Sequence, residues 1–265
     1  MKWPMVVIAA LLLCGCLHLE DPAPSQETRL VVHSVLSAQP SQTYVLVYRA
    51  RTGVPNVVEG GSLSDDEPVA DAKVTMTGPD GFIYRAGSPA TASGECCVSG
   101  MYIIDGPPPL SVPSTGTGTY TLRIRTTLGE EVTGTTTVPG PAQPIQDPTR
   151  IFFRLRDTLR LSWPRVPGAA SYEVVIRMPR YDADYRTFAD TSFSIAGTAL
   201  TIAGEEIFER GQDAEILVTA VDVNYYDYYR SQSDPFAGAA PSHLTGAVGV
   251  FGSIVPIYAT QLVVR

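Results

Sequence analysis

Thr119-Tyr120-Thr121-Leu122-Arg123-Ile124-Arg125 alternates without interruption: Tyr120, Leu122 and Ile124 fall on one face, and Thr121, Arg123 and Arg125 on the other. Successive side chains of a strand point to opposite faces, so a period of two reads as a strand with one buried and one wet side. Outward from it the pattern repeats. A Leu128-Gly129 turn leads into Glu131-Val132-Thr133-Gly134-Thr135-Thr136-Thr137-Val138. On the other side lie Met101-Tyr102-Ile103-Ile104-Asp105, closed by Pro107-Pro108-Pro109, and Phe82-Ile83-Tyr84-Arg85. Before these come Ala72-Lys73-Val74-Thr75-Met76-Thr77, Thr43-Tyr44-Val45-Leu46-Val47-Tyr48-Arg49 and Arg29-Leu30-Val31-Val32-His33-Ser34-Val35-Leu36. The Thr43 segment is apolar on both faces and is expected to be central. Gly78-Pro79-Asp80-Gly81 joins two of the segments as a turn, since Pro fixes φ and Gly accepts φ > 0. Several short strands at this spacing predict a β-sandwich over residues 29–138.

The dense prolines of 139–149 form a stiff linker. Beyond it, residues 150–265 open with Thr158-Leu159-Arg160-Leu161-Ser162-Trp163, whose Leu159, Leu161 and Trp163 face one way. Pro167-Gly168-Ala169-Ala170 turns the chain into Ser171-Tyr172-Glu173-Val174-Val175-Ile176-Arg177, and Ile216-Leu217-Val218-Thr219-Ala220-Val221-Asp222 supplies a later strand. The expected fold is therefore all-β, two sandwich domains in tandem. In the first, Pro68–Val74, the Gly78–Gly81 turn, Gly100-Met101-Tyr102 and Gly118–Leu122 together resemble carboxypeptidase-regulatory or transthyretin-like sandwiches. In the second, L-x-W, the Pro-Gly-Ala-Ala turn and Y-x-V resemble fibronectin type III modules, with Ala214 standing where that family carries its corner tyrosine.

The N-terminus has a different grammar. Lys2 precedes the apolar run Met5-Val6-Val7-Ile8-Ala9-Ala10-Leu11-Leu12-Leu13, too short for a spanning helix of roughly 20 residues and right for a signal peptide. Leu13-Cys14-Gly15-Cys16 then resembles the lipobox of bacterial lipoproteins. The resemblance implies cleavage after residue 15, a diacylglycerol on the Cys16 thiol, and acyl chains that hold the protein to a membrane. Residues 16–28 become a polar tether. Leu17 is not the aspartate of inner-membrane retention, which implies the outer membrane, on its periplasmic or surface face.

The chain is acidic, with 19 Lys and Arg against 27 Asp and Glu and a net charge of −8, one unit more negative once Lys2 leaves. Nucleic acid and anionic lipid surfaces are bound through basic patches, so they are excluded as partners. Cys96 and Cys97 are adjacent, which leaves them free, buried or joined to each other, and two neighbouring thiols lack the spacing of a metal site. His18, His33 and His243 show no HExxH spacing, and no GxSxG or phosphate loop occurs. The acidic groups Asp65-Asp66-Glu67 and Asp182/Asp184 do not follow a calcium-loop spacing. No enzyme and no cofactor is expected, beyond the lipid on Cys16.

Asn224-Tyr225-Tyr226-Asp227-Tyr228-Tyr229-Arg230 is the candidate binding segment, read as an edge hairpin. Tyrosines offer large amphipathic contact area at low entropic cost. Tyr225, Tyr226, Tyr228 and Tyr229 are the candidate residues, with Tyr181 and Tyr185 extending the surface. Leu30-Val31-Val32, Ala72-Lys73-Val74, Thr137-Val138-Pro139, Asp234-Pro235-Phe236 and Gly246-Ala247-Val248-Gly249-Val250-Phe251-Gly252-Ser253 resemble a family of uncharacterised Gram-negative lipoproteins. Its members carry a domain of unknown function and are often encoded beside TonB-dependent receptors. The resemblance implies a non-enzymatic accessory or binding protein that works beside an outer-membrane β-barrel receptor. The alternative is a glycan-binding or adhesive surface protein that uses the tyrosines.

Overall fold

The computed structural model describes residues 28–37, 43–50, 67–87, 100–104, 117–140, 149–182, 185–211, 213–233 and 241–265. Cys16, Asp65, Asp66, Cys96, Cys97 and linker residues 141–148 lie outside them. The elements in order are β1 (Arg29–Ser37), β2 (Thr43–Ala50), β3 (Glu67–Pro68), β4 (Lys73–Thr77), β5 (Ile83–Gly87), β6 (Met101–Ile104), β7 (Gly118–Arg125) and β8 (Glu131–Val138). They continue with β9 (Thr149–Phe153), β10 (Thr158–Ser162), β11 (Ser171–Asp182), β12 (Tyr185–Ile195), β13 (Ala199–Ala203), the single turn α1 (Gly204–Ile207), β14 (Asp213–Val221), α2 (Val223–Ser233), β15 (Leu244–Thr245) and β16 (Val248–Val264).

In the first half, one layer runs β16-β1-β2-β6 and the other β4-β7-β8-β15. The strand β5 belongs to both: Ile83, Tyr84 and Arg85 pair with β4, whereas Ala86 and Gly87 pair with β6. A strand that changes sheets makes the corner of a sandwich. Val32, Val45 and Val47 from one layer meet Val74, Met76, Leu122, Ile124 and Val132 from the other, all at most 1 % exposed. Tyr120 joins them, so the three alternating residues of the opening segment are all core. Tyr102 is buried there with its hydroxyl satisfied, donating to the Val69 carbonyl (2.6 Å) and accepting the Ala72 N–H (2.8 Å).

In the second half, β12-β11-β14-β16 with β9 on its flank faces the pair β10-β13. Leu159, Leu161 and Trp163 pack as one face against Val174, Ile176, Ile216, Val218 and Leu262. Ala214 is part of that core, and the Tyr172 hydroxyl accepts the Val166 N–H at 2.8 Å. The expected all-β sandwich architecture is what the chain adopts.

The division of the chain is less simple than the linker suggests. Residues 244–254, which the sequence assigned to the second body, pair and pack with the first. Leu244 pairs with Gly134 of β8, and Val248–Ile254 run parallel to β1 from Val31 to Ser37. The same strand β16 then continues antiparallel to β14, from Ile254 opposite Val221 to Val263 opposite Asp213. Its register slips once, between Val218 and Thr219, so that Ile257 is left over opposite them. Such a bulge bends the strand, and Ile257 packs on both cores.

The segment Gly249-Val250-Phe251-Gly252 is explained by what crosses it. Gly249 has a φ of +115°, and a Cβ there would sit inside the Val32 carbonyl of β1. At Gly252 a Cβ would lie 2.9 Å from the Tyr225 nitrogen, so its bare backbone lets α2 approach β16. Between them Phe251, 1 % exposed, fills the first core.

Candidate functional site

The tyrosine segment is a helix and not an edge hairpin. Aromatic residues favour strands in isolation, but Asp222 overrides the preference as N-cap. Its Oδ1 accepts the Tyr225 N–H at 2.9 Å, and its carbonyl accepts the Tyr226 N–H at 3.0 Å. The tyrosines then fall at helical spacings, with Tyr225, Tyr228 and Tyr229 three and four apart on one side.

The cap is also a tether. Asp222, 2 % exposed, accepts the Ser253 N–H of β16 (3.0 Å) at the same Oδ1, while the Thr136 hydroxyl of β8 donates to Oδ2. Asn224, one residue into the helix, donates to the carbonyls of Thr135 (2.6 Å) and Phe251 (2.8 Å). Two residues of one turn thus satisfy backbone and hydroxyl groups on two strands, β8 and β16. Asp227 holds the outer side of α2 by a 3.0 Å contact with His243.

The tyrosines divide by depth. Tyr228 is 2 % exposed and lies edge-on to both His33 (6.2 Å) and Tyr229 (5.2 Å). Its role is packing. The Tyr229 hydroxyl meets His33 Nε2 at 2.8 Å, and burial first, then neighbouring Tyr228, pushes its pKa up to about 12. Tyr225 and Tyr229 stack at 4.3 Å between centroids, and the Tyr225 hydroxyl donates to Glu173 Oε2 at 3.4 Å. Burial, then the charge of Glu173, keeps Tyr225 protonated far above the ordinary phenol range. Tyr226 turns away from this cluster, with the Arg230 guanidinium 5.3 Å above its ring.

Between α2 and the outer face of β11 and β12 lies a cleft of ≈ 310 Å³, lined by Glu173, Ser192, Phe193, Ser194, Val221, Tyr225, Tyr226, Tyr229 and Arg230. That is the small end of the range of ligand sites, roughly 300–1,000 Å³. Three of the four helix tyrosines reach it and Tyr228 does not. Tyr181 and Tyr185 lie at the far end of the β11–β12 hairpin, where Tyr181 pairs with Arg186 and Asp182 with Tyr185. Eight residues separate Tyr181 from Glu173, about 25 Å along a strand, so the structure does not bring them to the cleft. Glu173, Ser192, Ser194 and Phe193 were not foreseen. They stand on outward or edge positions of ordinary strands, and only the return of the helix over them makes them a wall. Cys16 lies outside the described residues.

His33 gives the cluster a pH dependence. Its Nδ1 is buried without a hydrogen-bond partner among the described residues, and burial lowers its pKa from 6.5. The groups facing it are the rings of Tyr228 and Tyr229, with Glu173 beyond Tyr225. The unfolded imidazole takes up its proton first, so the stability His33 contributes is full above its unfolded pKa and is lost as pH falls through the lowered folded value. Denaturant unfolding followed from pH 8 down to about pH 5 should show a loss that His33→Gln lacks. Superimposable pH profiles for the two proteins would refute this.

No curated protein matches the sequence. Solved structures that it resembles are built of tandem β domains. A two-domain fibronectin type III segment of chicken tenascin is 14 % identical over 74 % of this chain and 92 % of that one, with a TM-score of 0.20. The N-terminal eight Ig domains of the Down syndrome cell adhesion molecule are 12 % identical over 91 % of this chain and 26 % of that one, with a TM-score of 0.21. A tetra-tandem repeat from the extending region of a large adhesion protein is 12 % identical over 89 % and 49 %, with a TM-score of 0.23. Among protein families, residues 18–255 match the one described as a domain of unknown function, DUF4249. That span covers most of the chain, including the helix and the Gly249–Gly252 crossing, and the chain belongs to the DUF4249 family.

Proposed function

We propose that this protein is a non-catalytic binding protein of the cell envelope, held to the outer membrane by a lipid on Cys16, whose ligand seat is the cleft between α2 and the β11–β12 hairpin. The observation that carries this reading is the cleft itself. It is built from aromatic faces and a few polar groups, on a helix that Asp222 and Asn224 fasten to two strands. A rigid seat suits recognition, because little conformational entropy is lost when a ligand arrives. The lipid would confine the seat to the plane of a membrane partner and raise its local concentration there. In this reading the partner is an outer-membrane β-barrel receptor of the TonB-dependent kind, which receives what the cleft has bound.

The test is one fractionation followed by one capture. Wild-type protein should sediment with membranes, and Cys16→Ala should move to the soluble fraction. Tagged wild type captured from detergent-solubilised membranes should bring a β-barrel protein in near-equal amount. A Cys16→Ala protein that stays membrane-bound refutes the anchor, and the absence of any barrel partner refutes the accessory role.

A further inference from the structure

The charge and shape of the cleft restrict what it takes. Among the described residues, its only ionisable side chains besides the tyrosines are one carboxylate, Glu173, and one guanidinium, Arg230. A cation drawn to Glu173 would meet Arg230, and an anion drawn to Arg230 would meet Glu173. A neutral ligand avoids both conflicts if its polar groups both donate and accept. Hydroxyls do this: they donate to a carboxylate and accept from a guanidinium. The other polar side chains of the wall carry hydroxyls, from Ser192, Ser194 and the tyrosines. The rest of the wall is Phe193, Val221 and the bodies of Tyr225, Tyr226 and Tyr229, and aromatic bodies want an apolar face against them.

From this geometry we infer that the cleft binds a neutral sugar ring, presented by an oligosaccharide, with the apolar face of the pyranose against the tyrosines and its hydroxyls shared between Glu173, Arg230, Ser192 and Ser194. The inference rests on the reading that the cleft is the ligand seat, and adds the class of ligand. The cleft is open along the β12 side, where Ser192 and Ser194 are exposed on the last strand of the sheet. A ring within a chain can therefore enter without its neighbours having to be buried.

The experiment uses the purified full chain on an array of neutral, sialylated and sulfated oligosaccharides, with free tripeptides assayed in parallel by calorimetry. Glu173→Gln keeps the shape of the side chain and removes its charge, and Tyr226→Leu removes a ring that is not part of the His33 cluster, so neither endangers the fold. Neutral oligosaccharides should be retained in preference to sialylated and sulfated ones, and retention should persist when salt is raised. Glu173→Gln should weaken it about tenfold, the scale of one hydrogen bond to a charged group. Preference for charged glycans, or neutral binding unmoved by either variant, overturns the inference. Tripeptide binding that both variants abolish overturns the sugar and leaves the cleft as the seat. Binding of any ligand that ignores both variants overturns the seat as well.

Discussion

Gly249→Ala should destabilise the chain by roughly 3–5 kcal/mol. Two costs coincide. A φ of +115° is a backbone conformation that side chains rarely adopt, and the new Cβ would press on the Val32 carbonyl. That carbonyl is backbone in a central strand, so it cannot swing aside as a flexible side chain would. The alternative is for β16 to move away from β1, which would disturb the pairing of Val31–Ser37 with Val248–Ile254. Gly252→Ala is the graded companion. Its Cβ would lie 2.9–3.1 Å from Tyr225, so α2 would have to shift by a few tenths of an ångström, at a cost of about 1–2 kcal/mol. Urea unfolding of the three proteins checks the order. A Gly249→Ala protein as stable as wild type would mean that β16 does not run against β1 as described.

Asp222→Ala should cost about 3–4 kcal/mol, whereas Asp222→Asn should stay within about 1 kcal/mol of wild type. Alanine leaves the N–H groups of Tyr225 and Ser253 and the Thr136 hydroxyl without their acceptor in a buried site. Both N–H groups use Oδ1, which asparagine keeps. Asparagine also removes a buried charge. Burial raises the Asp222 carboxyl above its ordinary pKa, and the hydrogen bonds from Thr136, Tyr225 and Ser253 only partly oppose it. A folded pKa above the unfolded one means that the folded state binds the proton more tightly. The stability from this group is thus present below the unfolded value and is lost as pH rises through the folded one. Stability measured between acid and neutral pH should fall less steeply in Asp222→Asn than in wild type. Equal losses for Ala and Asn would show that the carboxylate charge, and not the acceptor geometry, holds the helix.

These two residues also mark where sequence reasoning reached and where it stopped. The strands of the first half were legible because one side of each is wet: Tyr120, Leu122 and Ile124 alternate with polar residues, and the structure buries those three. The second half announced itself through Leu159, Leu161 and Trp163 for the same reason. In contrast, β16 hides its nature, since much of Val248–Val264 is buried on both faces and so cannot alternate. Proline is also rare inside a central strand, and Pro256 stands within this one. It is accommodated beside the Ile257 bulge, where the ladder is already interrupted. The tyrosine segment was noticed for its composition but given the wrong shape. Four tyrosines in five residues look like a strand until Asp222 is weighed as a cap and the spacing of Tyr225, Tyr228 and Tyr229 is counted in threes and fours. The opposite wall of the cleft left no local trace at all. Glu173 and Ser194 read as the wet side of a hairpin, and what makes them a site is a helix that arrives from the other side of β14.

The long strand β16 also has a kinetic meaning. Its first part completes a ladder with β1, so residues near opposite ends of the chain must find each other before either sheet is whole. Contacts of such high sequence separation carry the full entropy of loop closure before they return any stability, and parallel pairings of this sort fold slowly. Each half meanwhile waits on the same late segment: the first lacks Phe251, the second Leu262 and Val264, and Ile257 belongs to both. Neither half is then an independent folding unit, and the division at the prolines is one of architecture and not of cooperativity. A chain built this way stays uncommitted until nearly all of it is available.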